Sequence, residues 1–307
     1  MRGDILKNIG VVGIGRVGQA VAKTLSKEGY SIIGINDIQE ELANDFAKEI
    51  GSKVVTLKKL TRDSEIIFIT TPDRYIKKVA KEIALFSLKN KFVIHMSGLL
   101  DSLELIDCRK KGAIIMSLHP LQAFASIQEA LVNLPGSYFA FEGDKSAAGI
   151  ARELVQRWQG KLITIRRELK PLYHAAACIA SNYLVTLLED AIHLLEESGF
   201  DRKLALEAVL PLVRGTINNI SAKGTKDALT GPIVRGDYLT VEKHIKEISK
   251  TNNDLLMTYR VMGLRTVQHL RDTSMLNDEI LDKINQTLLL NISSEGENIY
   301  GDKKYYN

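Results

Sequence analysis

Short apolar runs alternate with amphipathic stretches through the first half of the chain. The runs are rich in Ile, Val and Phe, as expected of strands buried in a parallel sheet. Between them, apolar residues recur at intervals of three and four, which predicts helices. The predicted strands are NIGVV at 8–12, SIIGIN at 31–36, VVTL at 54–57, EIIFIT at 65–70, KFVIHM at 91–96, AIIMSL at 113–118, SYFAFEG at 137–143 and KLITIR at 161–166. The alternation predicts an α/β domain over residues 1–168, with a Rossmann-type, doubly wound and mainly parallel sheet.

From Pro171 onward the apolar residues follow a helical period throughout. This change predicts a second, all-α domain over residues 169–292, and Pro171 suits the first turn of its first helix. The predicted helical segments lie at 171–198, 202–222, 238–248, 250–271 and 277–291. The tail at 293–307 has no apolar periodicity, and we predict that it is disordered.

Composition adds limits to this picture. The chain has 307 residues and 45% hydrophobic residues, which suits two domains with substantial cores. Its formal net charge of +4 comes from 41 basic and 37 acidic residues without a block of like charge, so we expect no nucleic-acid partner.

Cysteine usage and hydropathy indicate a compartment. Cys108 and Cys178 are far apart and lack partners at metal-binding spacing, which predicts no metal site and favours the reducing cytoplasm. The N-terminal residues MRGDILKN are polar, so we expect no secretory leader. The longest apolar region, at 175–195, is interrupted by polar residues, so we predict that it does not span a membrane. These interruptions are Ser181, Asn182, Glu189 and Asp190.

The first strand leads directly into Gly13-x-Gly15-x-x-Gly18 and a helix. Gly13 permits the tight turn, Gly15 lets the backbone approach a pyrophosphate, and Gly18 lets the helix lie close to the sheet. The strand–turn–helix context favours a dinucleotide site over a glycine-rich turn in some other α/β protein. The predicted cofactor-binding residues are Gly13, Ile14, Gly15, Arg16, Val17, Gly18, Asn36, Asp37, Thr70, Thr71 and Pro72.

Asp37 ends the second strand and bears on the choice of cofactor. An acidic side chain at this point accepts hydrogen bonds from the ribose hydroxyls and repels a 2′-phosphate, which favours NAD over NADP. The alternative is that Asp37 is only the N-cap of the helix predicted over 39–50.

Residues directly after the later strands are candidates for chemistry, because ligands of open parallel sheets lie beyond the carboxyl ends of the strands. His119, in Ser117-Leu118-His119-Pro120, is the candidate general acid/base, since imidazole serves either role near neutrality. The alternative is a histidine that only bonds the backbone. Ser97 could orient the substrate oxygen or belong to a plain turn before Gly98. His95 alternates with apolar neighbours and is interpreted as a hydrogen-bonded core residue.

Two further groups of polar residues fall in the predicted helical domain. His174, Cys178 and Asn182 are spaced by four, which places them on one helix face as an active-site wall or as a polar seam between helices. Arg235 lies in the loop Gly231–Asp237 and could bind a substrate carboxylate with two hydrogen bonds, or be an ordinary surface arginine.

Taken together, these motifs resemble the 6-phosphogluconate-dehydrogenase-like superfamily, which joins a Rossmann domain to a helical and usually dimer-forming domain. The nearest resemblance is to a family of proposed oxidoreductases with an N-terminal Rossmann domain and a C-terminal domain of unknown function. The motifs that carry it are GIGRVG at 13–18, HMSGLL at 95–100, SLHPLQAF at 117–124, YHAAACIASNYL at 173–184 and ALTGPIVRGD at 228–237.

More distant relatives suggest roles for individual residues. Ser97 and His119-Pro120 look like the serine and the catalytic His-Pro motif of prephenate and arogenate dehydrogenases, although the Leu121–Phe124 stretch departs from the signature that follows there. β-Hydroxyacid dehydrogenases carry Lys and Asn where this chain has His174 and Cys178, which implies a different proton donor. Pyrroline-5-carboxylate reductases share the architecture.

The resulting hypothesis is an NAD(P)-dependent oxidoreductase that transfers a hydride between nicotinamide and a small, carboxylate-bearing substrate in an interdomain cleft. His119 would act as acid/base with help from Ser97, and His174 and Asn182 would orient the substrate. Arg235 would anchor the carboxylate, in its own subunit or from the partner of a homodimer formed through the helical domain. The alternative is a protein that senses NAD(H) or NADP(H) without turnover.

Overall fold

The computed structural model describes residues 7–273 and 276–289. By its internal contacts the chain divides into two compact units, Met1–Tyr183 and Leu184–Asn307. The tail predicted to be disordered, 293–307, lies outside the described residues. Each unit is built differently, the first around one sheet and the second from helices.

A seven-stranded sheet forms the centre of the first unit. Its strands lie in the order β2-β1-β3-β4-β5-β6-β7. All neighbouring pairs are parallel except β5 and β6, which are antiparallel. The strands are β1 (Asn8–Val12), β2 (Ser31–Asn36), β3 (Ile66–Ile69), β4 (Phe92–His95), β5 (Ile114–Pro120), β6 (Tyr138–Gly143) and β7 (Lys161–Thr164). The predicted Rossmann-type, mainly parallel sheet is therefore confirmed.

Helices cover both faces of this sheet, which explains why its central strands read as continuous apolar runs. One face carries a core around Trp158 and Phe68, and the other carries a core around Ile67 and Leu105. The helices of the first unit are α1 (Arg16–Lys27), α2 (Glu40–Glu49), α3 (Leu57–Asp63), α4 (Asp73–Ile83), α5 (Ile106–Lys110), α6 (Ile127–Asn133), α7 (Ala148–Arg157) and α8 (Lys170–Ala180).

The predicted strand at 54–57 is wrong. Val54 makes only an isolated parallel bridge to Ile35, and the chain then enters α3. Helix α3 forms in place of the predicted strand because Thr56 is its N-cap: the Thr56 side chain accepts a hydrogen bond from the Lys59 backbone N–H at 3.3 Å. The prediction also missed α6, although Ser126 and Glu129 form the capping box that begins it.

The second unit is helical, as the change of period predicts. Its largest core gathers Val241, Val267, Leu270 and Leu281. Inside α10, Gly224 has non-helical dihedral angles, which kinks the helix. The helices are α9 (Asn182–Glu197), α10 (Arg202–Asp227), α11 (Tyr238–Ile248), α12 (Asn253–Thr273) and α13 (Asp278–Leu289).

The predicted single helix at 171–198 is two helices, because Ser181 lies between α8 and α9 with φ −122° and ψ −69°. The two compact units divide after Tyr183, whereas the sequence places the start of the helical domain at residue 169. Helix α8 belongs to the first unit because Lys170, at its start, is buried against β5 and the loop after β4.

One helical stretch, Arg167–Glu197, is long and apolar enough by length and composition to cross a membrane. Its most apolar window has a mean hydropathy of 1.3 and is 6% buried. The break at Ser181 falls inside this stretch. The absence of a membrane span stays a prediction.

The single tryptophan of the chain supplies a stability test. Trp158 stacks on Phe139 and donates from Nε1 to Thr24 Oγ1 at 2.8 Å. Thr24→Val keeps the side-chain volume but leaves the buried indole N–H without its acceptor. We expect a loss of about 1–3 kcal/mol in the free energy of unfolding, measured by urea titration with Trp158 fluorescence. Thr24→Ser, which keeps the hydroxyl, should lose less; equal losses would show that the hydrogen bond contributes nothing.

Candidate functional site

The glycine turn after β1 has the conformation that a dinucleotide requires. Gly13 has φ +92°, and a Cβ there would lie 2.7 Å from the Thr71 backbone nitrogen. A Cβ on Gly18 would overlap the Gly13 carbonyl oxygen, so Gly18 allows α1 to approach the turn. Around Gly15 a Cβ would meet nothing within 4 Å, so this part of the turn is open. The turn therefore fits a pyrophosphate at the start of α1, where backbone N–H groups point outward.

Asp37 binds the glycine turn directly. Its Oδ2 accepts from the Ile14 backbone N–H at 2.8 Å, and its Oδ1 accepts from the Gln39 N–H at 2.9 Å. Helix α2 begins at Glu40 with Gln39 as its N-cap, so the alternative role of Asp37 as N-cap does not hold. Each carboxylate oxygen keeps a second lone-pair direction, which a ribose hydroxyl could use.

A cavity of about 1110 Å³ runs from the glycine turn to His119 within the first unit. Most of the predicted cofactor-binding residues line it. Ile14, which is fully buried, and Gly18, which packs on Gly13, do not line it. The predicted site residues in its wall are Gly13, Gly15, Arg16, Val17, Asn36, Asp37, Thr70, Thr71, Pro72, Ser97 and His119.

Ser97 follows β4 and is 6% exposed. Its hydroxyl donates to Asp73 Oδ2 at 2.7 Å and accepts from the backbone N–H groups of Leu99 and Leu100 at 3.2 and 2.9 Å. Because the Ser97 hydroxyl donates its proton to Asp73 and accepts from two backbone N–H groups, it holds the loop after β4 in place. Asp73 lines the same cavity and begins α4, a favourable place for an acidic residue, and the sequence analysis did not single it out.

His95 is the hydrogen-bonded core histidine that the sequence predicts. Its Nδ1 accepts from the Ser97 N–H at 3.2 Å, so Nε2 carries the proton and donates to the Asp101 carbonyl at 2.9 Å. Burial lowers the pKa of His95 to about 4, so the ring is neutral near neutral pH.

His119 lies within β5, at the side of the cavity. Burial lowers its pKa to about 3, together with the smaller effects of the Lys170 charge, His174 and His95. Its Nδ1 lies 2.8 Å from the Tyr173 hydroxyl of α8, and the two rings are nearly perpendicular. His119 is therefore a neutral imidazole whose Nδ1 is already hydrogen-bonded.

Helix α8 brings His174 to His119. A Cβ placed on Gly98 would lie 2.7 Å from His174 Nδ1 and 2.9 Å from His119 Nε2, so both nitrogens converge beside this glycine. His174 Nδ1 is buried and has no hydrogen-bond partner in the described part of the chain. Its Nε2 lies 3.7 Å from Cys178 Sγ.

The predicted stripe of His174, Cys178 and Asn182 is broken. Helix α8 ends at Ala180, and Asn182 begins α9 as an exposed residue after the non-helical Ser181. The i, i+4, i+8 spacing therefore holds only for its first two members. Arg235 is exposed in the second unit, and its substrate role stays a prediction.

Lys170 is the buried cation of this site, and the sequence analysis did not identify it. It is 0% exposed, and its Nζ donates to the Ser97 carbonyl at 2.9 Å and to Ser117 Oγ at 2.6 Å. Burial lowers its pKa to about 8, while Glu142, Asp101 and Asp73 oppose the shift. The start of α8 is thereby fixed against the loop after β4 and the middle of β5.

Two protein-family models match different parts of the chain. Residues 8–98 match the family described as NADP oxidoreductase coenzyme F420-dependent, and residues 137–266 match the domain of unknown function DUF2520. The first part of the chain is therefore similar to the Rossmann domain of NADP oxidoreductases, and a later part is similar to DUF2520. This confirms the predicted architecture and, at the level of reaction class, an NAD(P)-dependent oxidoreductase.

Known proteins agree with this fold. A protein of Thermotoga maritima, TM1727, is 27% identical with a TM-score of 0.66, covering 94% of this chain and 99% of that one. Plasmodium falciparum pyrroline carboxylate reductase with NADP bound is 14% identical with a TM-score of 0.57, covering 92% and 98%. A reductive aminase from Aspergillus terreus with NADPH is 12% identical with a TM-score of 0.57, covering 92% of each chain.

A curated glyoxylate reductase of Korarchaeum cryptofilum (strain OPF8) is 36% identical over 66 residues. The match covers 22% of this chain and 19% of that protein, so it supports a local resemblance only.

Gly98→Ala tests whether the two histidines need their close approach. The φ angle of Gly98 is not positive, so alanine fits the backbone conformation there. Its Cβ would instead press against both imidazole rings. We expect turnover to fall by about 10²-fold or more with cofactor affinity kept. The matched control is Gly149→Ala, where a Cβ would meet nothing within 4 Å. Wild-type turnover in Gly98→Ala would contradict the convergence.

Lys170→Met tests the buried ammonium through pH. Because the folded-state pKa lies below the usual 10.5, the unfolded chain binds more protons between about pH 8 and 10.5. Stability of the wild type should therefore rise with pH across this window, relative to Lys170→Met, by up to about 3 kcal/mol. Denaturant titrations of both proteins across the window measure the difference. A difference that is flat with pH would mean that Lys170 titrates normally.

Proposed function

We propose that this protein transfers a hydride between a nicotinamide, preferably NAD(H), and a small, carboxylate-bearing substrate bound beside His119. The observation that carries the proposal is the convergence of His119 Nε2 and His174 Nδ1 at Gly98, because His119 also lines the cavity whose other side is the glycine turn. When bound, the nicotinamide supplies the hydride chemistry, and the protein supplies position and proton transfer.

The residues divide into distinct roles in this proposal. His119 exchanges the proton with the reacting heteroatom, and His174 orients that atom. Ser97 acts through the loop after β4, since its hydroxyl is held by Asp73. Asn182 and Arg235 are candidates for orienting the substrate and for binding its carboxylate, and both are exposed.

The preference for NAD rests on Asp37. Its carboxylate is fixed against the Ile14 N–H at the place where the adenosine ribose of a dinucleotide on this turn would lie. A 2′-phosphate would bring a second negative charge to this carboxylate, and such a juxtaposition is unfavourable.

Asp37→Asn removes that charge and keeps the side-chain size. We expect the wild type to bind NADH at least about tenfold more tightly than NADPH, and Asp37→Asn to reduce the ratio. Calorimetric titration of both cofactors into both proteins measures it. A wild type that prefers NADPH would reject the role of Asp37 while leaving the oxidoreductase proposal in place.

His119→Asn tests the catalytic role. Screening small oxo- and hydroxy-carboxylates by the change in cofactor fluorescence identifies a substrate. We then expect the variant to lose about 10²–10⁴-fold in turnover with NAD(H) affinity retained. His193→Asn, at an exposed position of α9, is the control. Unchanged turnover in His119→Asn would reject this residue as acid/base. Binding of NAD(H) without turnover of any substrate in the panel would favour the alternative function, a protein that senses NAD(H) without catalysis.

We also propose that the protein is a cytoplasmic homodimer assembled through its helical unit. Helices α9 and α10 expose large apolar side chains in the single chain, including Val185 and Leu212, which are 69% and 70% exposed. A second copy covering this face would remove them from water.

Light scattering should therefore give twice the mass of one chain, and Leu212→Glu should give the mass of one chain. Leu85→Glu, at a residue 77% exposed in the first unit, is the control and should stay dimeric. A wild-type mass of one chain, or sedimentation with lipid vesicles, would contradict the proposal.

A further inference from the structure

The contact between Tyr173 and His119 has no part in the roles assigned above. The Tyr173 hydroxyl lies 2.8 Å from His119 Nδ1, and the rings meet at 86° with centroids 5.6 Å apart. Tyr173 stands on α8 three residues after Lys170, whose ammonium fixes the start of that helix. The geometry of the pair is thus held from both sides, by β5 and by α8.

The chemistry of the two groups decides which of them donates. Burial raises the pKa of Tyr173 to about 12, so the phenol carries its proton. Within the described chain, the structure gives this hydroxyl one hydrogen bond, the one to His119 Nδ1. A phenol is the more acidic donor and an imidazole nitrogen the more basic acceptor. Tyr173 therefore donates, which leaves the single ring proton of His119 on Nε2.

This tautomer limits what His119 can do. Near neutral pH the ring has no second proton, because burial and Lys170 lower the pKa of its imidazolium form to about 3. Nε2 then presents an N–H group and no lone pair, so it cannot accept a proton from an alcohol. It can give its proton to a substrate, provided that Nδ1 gains one at the same time, because a bare imidazolate is too basic to form.

We propose that Tyr173 and His119 form a proton relay for reduction, and that the substrate is a hydride acceptor with a carbonyl oxygen or imine nitrogen at its reacting carbon. The Oη–H bond of Tyr173 breaks as Nδ1–H forms on His119. The Nε2–H bond breaks as the proton joins the substrate heteroatom, whose carbon receives the hydride of the reduced nicotinamide. The pair is reset when solvent in the cavity, which His119 lines, gives a proton to Nε2 and the Nδ1 proton returns to the Tyr173 oxygen. This inference rests on the proposed function and specifies its direction.

Nitrogen-15 NMR of histidine-labelled, cofactor-free protein tests the relay without any substrate, so its result is independent of the proposed function. His119→Asn identifies the His119 signals. We expect the wild type to show one neutral Nε2–H tautomer from pH 5 to 9, and Tyr173→Phe to show a mixture with Nδ1–H. A wild-type Nδ1–H tautomer, or a tautomer unchanged in Tyr173→Phe, would overturn the relay.

The chain contains a matched control for this experiment. Tyr259 Oη lies 2.8 Å from His244 Nδ1, with ring centroids 5.7 Å apart at 84°, in the second unit. Tyr259→Phe should move the His244 signals and leave His119 unchanged. If Tyr259→Phe instead changes the His119 tautomer, the assignment of the effect to the Tyr173 hydroxyl fails.

Turnover supplies the second readout, with the substrate that the screen identifies. We expect Tyr173→Phe to lower kcat for reduction by about 10²-fold, with KM and NADH affinity within a factor of two to three. Tyr259→Phe should keep wild-type kcat. A wild-type kcat in Tyr173→Phe would overturn the relay even where the tautomer is as expected.

Discussion

The buried ammonium of Lys170 is the interaction on which the candidate site depends. It joins the Ser97 carbonyl after β4 to the Ser117 hydroxyl of β5, and so ties the first turn of α8 to the loop after β4 and to β5. A buried lysine is tolerated only when it is well hydrogen-bonded, so the position of this turn is tightly specified. Tyr173 and His174 follow three and four residues later, on the side of α8 that meets His119.

The same charge sets the electrostatics of the site. Lys170 disfavours a positive charge on His119, and burial acts in the same direction, so the imidazole stays neutral. Proton transfer by His119 then depends on the Tyr173 hydroxyl beside it, because the imidazole itself carries no extra proton near neutral pH. Glu142, Asp101 and Asp73 partly compensate the lysine, and Asp73 also holds the Ser97 hydroxyl. Structural and chemical roles are therefore combined in one small set of polar residues.

The cofactor end of the cavity rests on a different constraint, which is backbone conformation. Gly13 needs a positive φ, and Gly18 must lack a Cβ for α1 to approach the turn. Asp37 then joins the end of β2 to this turn through the Ile14 N–H. Two independent pieces of local structure thus meet in one cavity, the glycine turn at one side and His119 at the other.

The sequence alone determined the parts of this protein that depend on short-range pattern. The spacing of apolar residues predicts the sheet and the helical region. The three spaced glycines, together with the strand before them, predict the dinucleotide-binding turn. Ser97 followed from its position after a strand. His119 was also predicted to follow a strand, but β5 extends to Pro120 and includes it. The predictions of a strand at 54–57 and of one long helix across Ser181 were wrong. The chain after Val54 forms the capped helix α3, and the helix is interrupted at Ser181.

Only the tertiary structure decided which residues meet. Lys170 reads in the sequence as an ordinary lysine before a helix-starting proline, and its burial depends on strands more than 50 residues away. Tyr173 reads as an apolar position of an alanine-rich helix, until α8 is placed against β5. Asn182 does not share a helix face with His174 and Cys178, because the non-helical Ser181 ends α8 before it. Spacing along a chain fixes neighbours within an element, whereas contacts between elements depend on how the elements pack.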